Sequence, residues 1–252
     1  MRIGIIGVGE IARAIVTGLL EGDGPPPEVL LSPRGAATAA ELAARHGTVR
    51  VCGGNQEVAD GCDVLIVAVR PQDRQALAGL AVAAGTVVVS LMAGVSLAEL
   101  RRLLATDAPL VRAIPLPAVR ERRSVTVTCP PHPVADALFD RLGGALPVDD
   151  EDAFNVFSAL TSTLTTHYAY LATLSSWASG HGIAPDQAER YVRGLFADLG
   201  RSLSDETRSL ERLAADHETP GGTNERIRTT WFSPANATAL REALDALLTD
   251  LT

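Results

Sequence analysis

The chain opens on an apolar run, Ile3 to Ile6, that breaks at Gly7, and after Gly9 the positions Ile11, Ala14, Ile15, Gly18 and Leu19 recur at helical spacing. The pattern predicts a strand, a tight turn and a helix. Glu28–Leu31 predicts a short second strand, with a helix over Ala36–His46 behind it, and Val49–Cys52 a third that leads into a short helix. Two continuous apolar runs, Asp63–Val69 and Thr86–Leu91, have the composition of parallel strands covered on both faces. A helix is expected over Leu97–Leu104, and later strands over Leu110–Ala113, Ser124–Cys129 and Leu146–Val148.

From Asp149 the texture changes. Asp149-Asp150-Glu151-Asp152 stand as acidic residues do at a helix N-terminus, and no strand-like run follows. Helices are expected over Ala153–Gly180, Ala184–Ser202 and Thr207–Asp216, then after Gly222 and after Pro234. The chain therefore reads as an α/β Rossmann domain with a mostly parallel sheet, residues 1–149, followed by an all-α domain, residues 150–252.

Composition narrows the function. A chain of 252 residues that is 46% hydrophobic and 21% charged can bury a sizeable core, as ordinary globular enzymes do. A net charge of −8 argues against nucleic acid as a partner, because phosphate binding leaves a basic footprint. Cys52, Cys62 and Cys129 show neither metal spacing nor an even count, so they read as small buried residues, no metal is expected, and the cytoplasm is the natural compartment. Glu10 and Arg13 interrupt the opening apolar stretch, which is therefore not read as a signal peptide, and no membrane segment is expected. All 22 basic residues are arginine, which excludes a Schiff-base lysine.

The spacing Gly7-x-Gly9-x-x-Ala12 is the dinucleotide-binding form. Gly7 permits the turn, Gly9 lets a pyrophosphate approach the backbone, and Ala12 lets helix and strand pack closely. The N–H groups that open the helix, at Glu10 and Ile11, then face the phosphates together with the positive end of the helix dipole. At the end of the second strand, an NAD site carries a carboxylate for the ribose 2′-hydroxyl. This chain has Ser32-Pro33-Arg34 there, a hydroxyl and a guanidinium suited to a 2′-phosphate, so NADP(H) is the expected cofactor.

Further motifs carry a resemblance. Val69-Arg70-Pro71-Gln72 is similar to V-K-P-Q, Ser90-Leu91-Met92-Ala93-Gly94-Val95-Ser96 to S-x-x-A-G-I-S, and Thr219-Pro220-Gly221-Gly222-Thr223-Asn224 to S-P-G-G-T-T. In this order and spacing the blocks resemble the pyrroline-5-carboxylate reductase family over almost the whole chain. The resemblance implies an NAD(P)H-dependent reductase of a cyclic imine in proline biosynthesis, a homodimer whose helical domain dimerises and whose sites are completed by the partner subunit. It places Asn55 at the ribose, and Val69, Arg70, Pro71, Ala93 and Gly94 around the cofactor. Thr219, Gly221 and Gly222 then hold the substrate, with Thr223 and Asn224 beside the imine.

The departures cluster on the substrate side. The family's M-P-N-T-P-A is here Ile114-Pro115-Leu116-Pro117-Ala118, one residue shorter and without its asparagine. G-S-G-P-A-Y has become Thr165-Thr166-His167-Tyr168-Ala169-Tyr170, and the second threonine of the glycine turn is Asn224. His167 and Tyr168 are thus new ionisable residues, either of which could hand a proton to the imine. Two other readings stand beside imine reduction. One is a hydroxyacid-dehydrogenase-like carbonyl reductase, which usually carries a catalytic lysine that this chain lacks. The other is an NADP-binding regulatory protein without turnover.

Overall fold

The computed structural model describes residues 1–251, which divide into two compact units, Met1–Ser158 and Ala159–Leu251. In the first unit eight strands form one sheet in the order β3-β2-β1-β4-β5-β6-β7-β8. They are β1 (Arg2–Ile6), β2 (Glu28–Leu31), β3 (Val49–Val51), β4 (Val64–Val67), β5 (Val87–Ser90), β6 (Leu110–Ile114), β7 (Thr126–Cys129) and β8 (Ala145–Pro147). All neighbours are parallel except β6 and β7. The mostly parallel Rossmann sheet read from the sequence is present.

The continuous apolar runs work by alternation. Val64 and Ile66 of β4, with Val87 and Val89 of β5, enter one core beside Ile3, Ile15, Leu19 and Phe139. Leu65, Val67 and Val88 enter the core on the other face, beside Ile6, Leu77 and Leu100. A strand buried on both faces needs apolar side chains at every position, which is why β4 shows no polar alternation. The helices that cover it are α1 (Glu10–Leu20), α2 (Ala36–Arg45), α3 (Asn55–Gly61), α4 (Leu97–Leu104) and α5 (Pro133–Asp140), with 3₁₀ segments at Pro71–Leu77 and Pro117–Glu121.

Helix α5 starts straight out of the proline-rich stretch Pro130–Pro133: Pro133 occupies its first turn, where a missing N–H costs nothing. His132 caps it, its Nδ1 accepting from the Val134 N–H at 3.3 Å. The first unit also runs on to Ser158, past 149, because the start of α6 (Glu151–Thr161) packs on the sheet through Phe154, which joins Val127 and Cys129 in a small apolar cluster.

That packing is tied down by a buried cation. Arg112, in the middle of β6, is 2% exposed. Its Nη1 donates to Glu151 Oε1 at 2.7 Å and to Asn155 Oδ1 at 3.2 Å, and the Phe154 ring centroid lies 4.3 Å from the guanidinium carbon. The same Glu151 oxygen accepts from the N–H of Leu97, the first residue of α4, at 3.0 Å. One carboxylate thus joins β6, α6 and the loop after β5. On the opposite side α1 lies against the 3₁₀ segment Pro117–Glu121 so closely that a Cβ at Gly18 would stand 2.3 Å from the Val119 carbonyl oxygen.

The second unit is helical, as expected, with α7 (Thr163–Gly180), α8 (Pro185–Ser202), α9 (Leu210–Asp216), α10 (Thr223–Trp231) and α11 (Pro234–Leu251). The single helix expected over Ala153–Gly180 is two, α6 and α7, interrupted at Ser162. There the Ser162 N–H bonds the Ala159 carbonyl, and the Thr163 hydroxyl turns back to the Leu160 carbonyl at 2.8 Å. Hydroxyl side chains that compete for backbone carbonyls weaken a helix where they cluster. Cys52, Cys62 and Cys129 are all buried free thiols, and burial pushes Cys62 and Cys129 up to about 11. No helix among the described residues is long and apolar enough to cross a membrane.

Candidate active site

The strand order reverses around β1, with β2 on one side and β4 on the other, and open α/β sheets bind ligands outside the carboxyl ends of the strands at such a point. Here the carboxyl end of β1 runs into Gly7-Val8-Gly9 and α1. Gly7 has φ +92°, and a Cβ on it would lie 2.7 Å from the Ala68 carbonyl carbon and oxygen at the end of β4. Only glycine fits this turn. Gly9 is different: it is exposed, and a Cβ there would meet nothing within 4 Å. Gly9 is also the N-cap of α1, with no side chain bonding the first turn. An open backbone at an uncapped helix start, with the N–H groups of Glu10, Ile11 and the buried Ala12 in its first turn, is a geometry that can hold an anion.

The end of β2 is locked to this turn. The buried Ser32 hydroxyl accepts from the Gly7 N–H at 3.1 Å, and Val8 N–H bonds the Arg34 carbonyl at 3.2 Å. The sequence reading gave Ser32 to a 2′-phosphate; with no exposed surface, its side chain instead satisfies a buried donor of the glycine turn. Ser32→Ala is accordingly expected to cost about 1–3 kcal/mol of stability by orphaning that N–H. It should weaken NADPH and NADH by similar factors, whereas a phosphate ligand would show a loss confined to NADPH in paired titrations.

Arg34 does reach the surface. Its Nη2 lies 2.8 Å from Asp73 Oδ2, and Arg70 Nε lies 2.9 Å from the same oxygen. Hydrogen bonds from Arg70 and then Arg34 hold the Asp73 carboxyl below the usual carboxylate range. Val69 is buried and Pro71 half-buried at the start of the 3₁₀ segment. Asn55, expected at the ribose, spends its amide on the Ala76 carbonyl of that segment at 3.2 Å, so its established contact is to the protein. The loop after β5 presents Ala93 and Gly94 to solvent between buried Met92 and Val95, and Ser96 then caps α4 by accepting from the Glu99 N–H at 3.2 Å.

In the second unit the glycine turn is built but engaged. The Gly222 N–H bonds the Thr219 carbonyl at 2.7 Å, Gly221 has φ +72°, and Gly222 is the N-cap of α10, which begins at Thr223. The bare N–H of Gly221, expected to hold a substrate carboxylate, instead donates to Glu225 Oε2 at 2.5 Å. Asn224, expected beside the imine, donates its amide to the His217 carbonyl at 2.7 Å. The causes differ: a carboxylate in the first turn of a helix reaches back to the free N–H groups at its start, whereas the Asn224 amide satisfies the carbonyl of His217, the residue that closes α9.

His167 and Tyr168 sit on α7 but in different company. His167 packs edge-on to Phe196 of α8, 5.8 Å between ring centroids, and 6.4 Å from Tyr170. Tyr170 in turn stacks on Trp231 at the end of α10, 5.0 Å away and 12° from parallel. Tyr168 is 71% exposed, and its ring lies 6.4 Å from that of His167. The structure thus gathers His167 with Tyr170, Phe196 and Trp231, an aromatic cluster that the sequence reading missed. Glycine turn and cluster share α10, whose first turn carries Thr223 and whose last residue is Trp231.

Comparison with known proteins decides the family. A family model described as NADP oxidoreductase coenzyme F420-dependent matches residues 2–94. The pyrroline-5-carboxylate reductase of Synechocystis is 30% identical over 248 residues, covering 93% of this chain and 82% of that protein. The chain belongs to the pyrroline-5-carboxylate reductase family. Among solved structures, that of a pyrroline-5-carboxylate reductase from Coxiella burnetii matches with a TM-score of 0.83 at 22% identity, over 99% of this chain and 96% of that one. A Plasmodium falciparum pyrroline carboxylate reductase solved with NADP bound matches at 0.79 and 14%, over 100% and 97%. At such identities the structural likeness concerns the fold.

Proposed function

We propose that this family member is an NADPH-dependent reductase that delivers hydride to the C=N bond of a small cyclic imine of the pyrroline-5-carboxylate type. The observation that carries the reading is the open, uncapped start of α1 at Gly9 together with Arg34, a guanidinium where an NAD site would carry a carboxylate. The bound dinucleotide would supply the hydride. The N–H groups of Gly9, Glu10, Ile11 and Ala12 hold its pyrophosphate, Arg34 takes the 2′-phosphate, and Val69, Arg70, Pro71, Ala93 and Gly94 flank the rest. Thr219, Gly221, Gly222, Thr223 and Asn224 orient the imine, and His167 or Tyr168 gives it a proton, which makes its carbon a better hydride acceptor.

A homodimer with shared sites belongs to the same proposal. Tyr191, Leu195 and Leu199 lie at helical spacing on α8 and are all exposed, Tyr191 by 73%; so are Trp177 and Ile183. Apolar side chains aligned in this way mark a face that a partner covers. The assembly is tested by sedimentation, with a stable monomer as the contrary result.

One observation favours a second reading, a dinucleotide-binding protein without turnover. Glu225 and the His217 carbonyl already engage Gly221 and Asn224 of the substrate turn. The deciding experiment follows oxidation of NADPH with a panel of cyclic imines, with and without a carboxylate, and of ketones, beside a binding titration. Turnover of at least one imine and of no ketone is expected. Tight NADPH binding with no turnover across the panel supports the second reading, and ketone turnover supports a carbonyl reductase.

A further inference from the structure

The arginines at the dinucleotide cleft are bridged by a carboxylate. β2 and β4 flank β1, so the segments that follow them, Ser32–Gly35 and Arg70–Asp73, face each other across the carboxyl end of β1. The Arg34–Asp73 ion pair closes that gap, and Arg70 binds the same Asp73 oxygen. In a dinucleotide fold the adenosine ribose lies at the end of β2, where its 2′-substituent meets the residue about twenty positions past the glycines. Asp73 therefore places a negative charge on the guanidinium that a 2′-phosphate would use. Its side chain is 23% exposed, against 47% for Arg34 and 72% for Arg70, so the carboxylate is the more enclosed partner.

We propose that Asp73 is a specificity-determining residue of the adenosine subsite: an internal anion that competes with the 2′-phosphate for Arg34 and Arg70 and so narrows the preference for NADPH over NADH. Arg34 can accept a 2′-phosphate only by releasing Asp73 or by sharing itself between two anions, and the carboxylate repels the phosphate in either case. A ribose 2′-hydroxyl carries no charge and meets no such cost; the Asp73 oxygens can accept its hydrogen bond. The site is thereby built for both dinucleotides, with the phosphate preference held down by one side chain.

The proposal rests on the cofactor reading above, and its test is made by binding alone, with no imine present. Dissociation constants for NADPH, NADH, adenosine 2′,5′-bisphosphate and ADP are measured for the wild-type protein, Asp73→Asn and Asp73→Ser, with thermal unfolding as a check of folding. Removing the charge is expected to tighten NADPH and the bisphosphate about tenfold, to leave NADH and ADP within about twofold, and to steepen the salt dependence of NADPH binding. The idea is overturned if the folded variants bind NADPH more weakly, which would make Asp73 a support for Arg34, or if all four ligands shift alike. Failure of the wild-type protein to bind either dinucleotide would sink the cofactor reading and this proposal with it. Binding of both, unchanged by the substitutions, sinks this proposal only.

Discussion

Gly35→Ala is expected to weaken NADPH binding at least about a hundredfold and to lower the unfolding free energy by about 3 kcal/mol, although residue 35 belongs to no recognised motif. Two costs add. Gly35 has φ +87°, where an alanine is strained by about 1–3 kcal/mol. Its Cβ would also stand 2.2 Å from the Val8 carbonyl oxygen, a backbone atom in the middle of the glycine turn, and could be relieved only by pushing that turn off the end of β2. The Val8–Arg34 backbone bond would be lost, and with it the register between the uncapped start of α1 and the guanidinium of Arg34. The control is Gly9→Ala, whose Cβ meets no protein atom within 4 Å. It should keep the melting temperature within about 2 °C, close to the effect of an ordinary surface substitution, and still weaken the dinucleotide, because the methyl enters the space left for the pyrophosphate. A Gly9→Ala protein that binds like wild type would remove the pyrophosphate from this turn.

Glu151→Ala is expected to cost about 3–5 kcal/mol, because it leaves the Arg112 guanidinium buried without its counter-charge. For a chain of this size that is roughly a 10 °C fall in melting temperature. Arg112→Met should cost distinctly less. Glu151 is 30% exposed and can be rehydrated once released, whereas Arg112 is 3% exposed at its side chain and cannot. Glu151→Ala also takes the acceptor from the Leu97 N–H, so the loop carrying Ala93 and Gly94 should gain amide exchange, which Arg112→Met leaves nearly unchanged. Equal melting shifts for the two variants would show that the pair matters through its packing and not through the buried charge.

The parts legible in the sequence were those written in periodic or backbone terms. Gly7, Gly9 and Ala12 could be placed because a tight turn and a close helix–strand contact each demand a residue type at a fixed offset. The parts that were not legible are side-chain pairings between distant segments. Ser32 at a strand end looks the same whether its hydroxyl faces a cleft or a neighbouring N–H, and the structure turns it inward to Gly7. Asp73 is an unremarked polar residue until β2 and β4 are seen on either side of β1, and Gly35 has no signal of its own because its constraint is the position of the Val8 carbonyl. In the glycine turn of the second unit, Glu225 follows Gly221 so closely that it takes that residue's N–H, while Asn224 reaches back to the His217 carbonyl at the end of α9. His167 could be picked out as a new ionisable group, yet its neighbour Phe196, and Trp231 stacked on Tyr170 beside it, come from helices that no spacing rule connects to it.

The contact of Gly18 with Val119 bears on how this chain could diverge. The stretch Pro115-Leu116 is slung between two fixed points: β6, hydrogen-bonded into the sheet, and the 3₁₀ segment whose backbone rests on α1 at a distance that tolerates no side chain. Side chains can be exchanged along such a sling without transmitting the change to either anchor. Side-chain changes in this stretch are therefore compatible with an undisturbed turn at Gly9, so the two can diverge independently.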